Sequence, residues 1–153
     1  MYSVGDVLNS EEVARFSGVK NSNGLQCGIL VNDIDKVSVL IMGRKENNIA
    51  SYYPNYWDEK TIGILHYCGT NKGLAKDIPK QSLDSKLNSA IYRRTYPIHV
   101  MVRNPDKTYL YLGIFERIPD MDKPIDYDNR IIYQFALVSR NIDKVESLIK
   151  ELM

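Results

Sequence analysis

Histidine and cysteine are scarce in this chain: only His66, His99, Cys27 and Cys68 occur among 153 residues. A zinc site needs several such ligands at short intervals, and these four do not offer that spacing. No metal or other cofactor is expected. Nucleophilic catalysis needs a serine or cysteine beside a base and an orienting group. Both histidines sit inside apolar runs on expected strands, so no such set can be read. No Walker loop, dinucleotide glycine motif, metalloprotease helix or metal-binding nuclease motif is present. A binding domain rather than an enzyme is expected. Long apolar runs are missing too, and nothing approaches the roughly 18 residues of a membrane span. The opening MYSVGDVLNS has neither a basic start nor an apolar stretch, so no signal peptide is expected. A cytoplasmic protein with reduced thiols is the simplest expectation.

An excess of charge is also lacking. Lys plus Arg number 20 and Asp plus Glu 19, which argues against a strongly basic nucleic-acid wrapper. A local patch matters more than the sum, so nucleic acid itself is not excluded. What the chain has in abundance is tyrosine, 11 against 3 Phe and 1 Trp. Tyrosine couples a flat apolar face to a polar tip, which suits wet sheets and stacking surfaces alike. Hydrophobic residues make up 44%, enough to give a chain of this length one real core.

The order of elements is readable. Asn9 and Glu12 form a capping box for a short helix that stops at Gly18. Gln26 to Val31 and Val37 to Met42 read as a strand pair, and Ile62 to Tyr67 as another strand. Leu83 to Arg93 is helical by period, with Leu83, Leu87, Ala90 and Ile91 on one face. Pro97 to Arg103 and Thr108 to Phe115 are strands joined by the turn Asn104 to Lys107. Pro119 to Asp128 reads as a polar loop and Ile131 to Ser139 as the last strand. Asn141 is placed to cap a final helix striped by Ile142, Val145, Leu148, Ile149 and Leu152. Strands joined mostly by turns predict an α+β fold: a curved mixed or antiparallel sheet, or small barrel, with two or three peripheral helices.

Two stretches break the pattern, 47–58 and 68–82, and they flank the strand that ends in Tyr67. Irregularity of this kind concentrates at functional sites. The first holds Tyr52, Tyr53, Asn55, Tyr56, Trp57 and Asp58. Aromatic rings offer planes for a base, and Asn or Asp offers directional hydrogen bonds to its edge. The second holds Lys72, Lys76 and Lys80, which suit phosphates. The bland alternative is that the tyrosines cover the sheet and the lysines are merely solvated. Trp57 reads better as a core anchor than as a ligand contact, and both histidines as satisfied structural residues. Asn88, at a helix start, either ties two loops together or touches DNA. Arg44, Lys45, Arg93 and Arg94 are candidate phosphate contacts.

The ordered set of motifs resembles the SRA (SET and RING-associated) domain, of the PUA-like group, and within it the bacterial branch in McrA-type restriction endonucleases. Tyr53-Pro54-Asn55-Tyr56-Trp57 resembles that family's Tyr-x-Asp-x-Trp segment. Gly63 to Gly69 resembles its Gly-x-aromatic-x-Tyr-Thr-Gly segment. Asn88-Ser89-Ala90-Ile91, Ile98 to Val102 and Tyr109 to Gly113 follow in the family's order, and Val4-Gly5-Asp6 and Gln26 to Ile29 resemble its opening. The likeness runs over most of positions 4–138.

What the resemblance implies is recognition of double-stranded DNA carrying a modified base, which is flipped out of the duplex. Modified cytosine is the first base it implies. Tyr67 is then one clamping plane, and Tyr53 or Tyr56 the other. Asn55, or Asp58 when counted back from Tyr67, contacts the base edge. The backbone of Cys68 and Gly69 lines the pocket floor. Arg44, Lys45, Lys72, Lys76, Arg93 and Arg94 are left for the DNA backbone. Two departures stand out: Asn55 replaces an expected Asp, and Cys68 replaces a Thr. An amide both donates and accepts, so Asn55 suits more than one base edge. The family usually appends an HNH nuclease. The expectation is therefore a specificity module at 1–140 of a modification-dependent restriction system, served by a fused or separate HNH nuclease. The helix at 141–153 is read as a linker toward such a domain. A PUA-like module for RNA or single strands is the alternative.

Overall fold

The computed structural model describes residues 1–22, 25, 28–43, 55–70, 80–127 and 130–153. Along the chain these form β1 (Val7–Leu8), α1 (Ser10–Ser17), β2 (Ile29–Asn32), β3 (Val37–Gly43), β4 (Tyr56–Trp57) and β5 (Ile64–Cys68). Then come α2 (Lys86–Tyr92), β6 (Ile98–Arg103), β7 (Tyr109–Arg117), a 3₁₀ turn (Pro119–Met121), β8 (Lys123–Tyr127), β9 (Arg130–Ser139) and α3 (Ile142–Leu152). All nine strands join one sheet, in the order β2-β3-β6-β7-β9-β5-β4, with β1 added on β7 and β8 on β9. Among the described strands only the β3–β6 pair is parallel, so the sheet is mixed. The α+β expectation holds.

Local chemistry explains the elements. The Asn9 side chain accepts from the Glu12 backbone N–H at 2.8 Å, and Glu12 accepts from the Asn9 N–H at 3.1 Å, so the capping box forms as read. Gly18 ends α1 in the left-handed region at φ 76°. Residues of β3 alternate between two apolar clusters, as a pleated strand requires. Leu40 and Met42 enter one, Val39 and Ile41 the other. In β7 the alternation slips at Gly113, φ 91°, where the register with β6 shifts. A glycine in that conformation is the residue a bulge of this kind uses.

The two clusters lie on opposite sides of the sheet. The first includes Leu65 and Tyr67 of β5, Val100 of β6, Phe135 of β9, Ile91 of α2 and Val145 and Ile149 of α3. The Tyr67 hydroxyl on β5 donates to the Ile41 carbonyl on β3 at 2.9 Å. These strands stand four places apart in the sheet order, so the sheet curls around this cluster, which is the inner one. The second, outer cluster carries α1 through Val13 and Ala14.

Three expectations need correcting. Tyr56 and Trp57 sit on a short strand paired with β5, inside a stretch read as loop. The polar segment Lys123–Tyr127 is a strand, paired with β9. It lacked a strand signature because it is an outlying strand with little to bury, and its Pro124 has no N–H to give a second neighbour. Asn141 makes no side-chain capping bond to α3. That helix buries Val145 and Ile149 completely. Among the described residues no helix is long and apolar enough to cross a membrane.

Candidate nucleic-acid interface

The predicted site centres on β5, where neighbouring residues point to opposite sides. β4 pairs with β5 so that Tyr56 faces His66 and Trp57 faces Leu65. One step further in the same register, Asn55 stands opposite Tyr67. Directly opposed residues share a side of the sheet, so Asn55 lies on Tyr67's inner side. Its Oδ1 accepts from the Cys68 backbone N–H at 2.7 Å.

Tyr67 is 4% exposed. Its hydroxyl bond to Ile41 fixes the ring, and burial pushes its pKa up, so the phenol stays protonated. The hydroxyl fits only because residue 28 is glycine: a Cβ there would lie 2.8 Å from it.

The segment after Tyr67 is held by side chains from distant elements. The Gly69 N–H donates to the Tyr133 carbonyl at 2.8 Å. Gln81 donates to the Gly69 carbonyl at 2.7 Å and accepts from the Tyr133 N–H at 2.8 Å. Asn88, fully buried at the start of α2, accepts from the Thr70 N–H at 2.8 Å. It also donates to the carbonyls of Thr70 and Ser82, both at 2.9 Å. Asn88 therefore ties together the two ends of the stretch read as the second irregular loop. Any side chain at Gly69 would meet this clamp, with a Cβ 2.9 Å from Gln81 Oε1 and 3.0 Å from Asn88 Oδ1.

Tyr56 and Asp58 belong elsewhere, which corrects their assignment to a shared pocket with Tyr67. Tyr56 stacks on His66 with centroids 4.4 Å apart. The His66 Nε2 lies 3.1 Å from Asp58 Oδ1. The other Asp58 oxygen accepts from the backbone N–H groups of Thr61 and Lys60. His66, then Thr61, hold the Asp58 carboxyl below its ordinary pKa. Since His66 and Tyr67 are adjacent on a strand, Tyr56 and Asp58 face the outer side.

The remaining candidates scatter. Tyr53, Arg44, Lys45, Lys72 and Lys76 lie outside the described residues. Arg93 pairs with Asp84 at 2.9 Å. Arg94, at φ 53°, lines a cavity of about 360 Å³ together with Tyr96, Phe115, Arg117 and Arg140. No base-pocket candidate among the described residues lines it. Trp57 is 8% exposed within the inner cluster, as a core anchor should be. The Nδ1 of His99 lies 2.7 Å from the Tyr111 hydroxyl, and burial pushes the histidine's pKa down to about 4. The Cys68 thiol receives a bond from Gln134 and is pushed up to about 11 by burial, far from the thiolate a nucleophile requires. Among the described residues no three His, Cys, Asp or Glu side chains gather to hold a metal.

Gln81 escaped the sequence reading. A single buried glutamine between a loop and a helix has no periodic or motif signal.

No protein-family model matches the chain, and no curated protein matches it. Its fold, however, is that of SRA domains. It is similar to the SUVH5 SRA domain in complex with hemi-methylated CG DNA, at a TM-score of 0.59 and 19% identity over 90% of this chain and 88% of that one. The SUVH5 SRA domain bound to fully hydroxymethylated CG DNA aligns with a TM-score of 0.58 and 20% identity, over 89% and 87% of the chains. KRYPTONITE in complex with mCHH DNA, an H3(1-15) peptide and SAH aligns at 0.56 and 15% identity; the match covers 89% of this chain and 31% of that one.

Proposed function

We propose that this chain recognises a modified pyrimidine in double-stranded DNA by taking the flipped base against Tyr67, with Asn55 at its polar edge. The observation that carries the reading is the placement of Asn55 and Tyr67 side by side on the inner side of the sheet, in a fold shared with domains solved on methylated and hydroxymethylated DNA. Tyr67 offers a plane whose orientation is already fixed, so ordering it costs little on binding. Gly69, held by Gln81 and Asn88, forms the floor. Tyr53 supplies the second plane, and Lys72 and Lys76 meet phosphates. Tyr67 is covered in the structure, so a base reaches it only when what covers the ring moves aside.

In this reading the chain contributes specificity and no chemistry, with Cys68 and both histidines engaged in the structure. It fits a modification-dependent restriction system in which a fused or separate HNH nuclease cuts. Binding to otherwise identical duplexes, with and without one modified pyrimidine, tests the proposal at physiological salt. Modified cytosine, the base first implied by the motifs, belongs in that panel. Tighter binding to a modified duplex is expected. Equal affinity for every duplex, or preference for single-stranded RNA over all of them, would sink the reading.

A further inference from the structure

The orientation of the Asn55 amide narrows the base. A backbone N–H can only donate, so the Asn55 atom 2.7 Å from the Cys68 nitrogen must be the carbonyl oxygen. The usual ambiguity between amide oxygen and nitrogen is therefore removed by the partner. The Asn55 Nδ2 group carries two N–H donors and has no partner among the described residues. At this half-buried position a carboxylate would show a ligand only acceptors. The amide, with its oxygen drawn toward Cys68, shows donors.

We infer that Asn55 is a specificity-determining residue that selects a pyrimidine with a carbonyl at position 4, a uracil- or thymine-type base bearing a 5-substituent, over a 4-amino pyrimidine. This rests on the reading that a flipped base meets Asn55. The exocyclic group at position 4 projects beyond the ring and reaches a side chain at that edge first. A carbonyl oxygen there accepts from Nδ2. An exocyclic amine turns hydrogens toward hydrogens and leaves the donors on both sides unpaired, the more costly arrangement.

The test compares duplexes carrying one 5-hydroxymethyluracil or one 5-hydroxymethylcytosine at the same position. Each is placed opposite an abasic site, so that neither base has a pairing partner to leave. The two bases then share the 5-substituent and differ at position 4 and in the ring-nitrogen protonation that goes with it. The unaltered chain is expected to bind the uracil derivative about tenfold tighter. Asn55→Asp keeps an acceptor for the Cys68 N–H and replaces the donors with a second acceptor, so the preference should invert. Asn55→Ala, which presents neither group, should bring the ratio near one and serves if the aspartate variant fails to fold. Preference of the unaltered chain for the cytosine derivative, or an unchanged ratio in both variants, overturns this inference and leaves the broader reading standing. Failure to distinguish either base from an unmodified duplex overturns both.

Discussion

The two sides of β5 carry similar side chains to different ends. On the outer side Tyr56, His66 and Asp58 are committed to one another and to the turn that follows β4: a ring stacked on a ring, an imidazole on a carboxylate, a carboxylate on two backbone N–H groups. On the inner side Tyr67 and Asn55 are each fixed by a single bond to backbone. Asn55 then keeps something over, its amide donor pair, while the Tyr67 ring is packed in the inner cluster. The lesson is that the residue types which suggest a binding site do not make one. What counts is hydrogen-bonding capacity left unspent after folding.

Replacing the inner ring should break the comparison most sharply. Tyr67→Ala removes a buried aromatic from the main core, and large-to-small changes of this kind cost about 3–5 kcal/mol. It should also erase preference for a modified base. Chemical denaturation and duplex binding read the two effects separately. Retained preference in a folded Tyr67→Ala chain would place the base elsewhere.

Next comes a pH effect on the outer side. His99 is held neutral, with its pKa pushed down to about 4 from 6.5. Between those values the unfolded chain binds a proton that the folded chain refuses. The stability contribution is complete above pH 6.5 and is lost as pH falls toward 4, by an amount of order 3 kcal/mol. Urea unfolding at a series of pH values should show this slope, and His99→Phe should flatten it. An unchanged slope in the variant would assign the loss to other groups.

Asn88→Ala deletes three hydrogen bonds from a fully buried position, and about 2–4 kcal/mol of stability should go with them. Proteolysis in the stretch between Thr70 and Ser82 should quicken, since its two ends lose their tie. Intact resistance to protease would mean that Gln81 alone suffices.

Smaller effects complete the contrast. Tyr56→Ala gives up an exposed stack worth about 0.5–1.5 kcal/mol and should leave the modified-to-unmodified affinity ratio untouched. Lys72→Ala should weaken binding to all duplexes alike and lower the salt slope by about 1. A change in discrimination from Tyr56→Ala would show that the division between inner and outer sides is drawn in the wrong place, and one from Lys72→Ala would take the lysine off the DNA backbone.

Much of the framework was legible because it depends on neighbours in sequence. The Asn9–Glu12 box, the stop at Gly18 and the turn before β7 each follow from a few adjacent residues. The apolar alternation of β3 and β6 is equally local. The reading of the two histidines as structural also rested on their apolar neighbours, and that of Trp57 on the usual place of a tryptophan; all three are buried. The candidate site was legible only as a list. Tyr56 and Asp58 stood beside Asn55 in sequence, and nothing local told which would face Tyr67. The strand β8 was invisible because its residues are polar and its pairing with β9 is a tertiary fact.

By itself, then, the sequence determined where chain segments turn, cap and alternate, and that a plane-rich, amide-bearing stretch precedes a tyrosine-ended strand. Tertiary structure decided which of those groups remain available. Register on a strand has period two, so one residue's difference sends Asn55 inward and Tyr56 outward. The curl of the sheet, over the four steps from β3 to β5, brings Tyr67 to Ile41. The helix start at Asn88 meets Thr70 across 18 residues of chain. Such contacts depend on how distant segments close on one another, and no stretch of neighbouring residues encodes that.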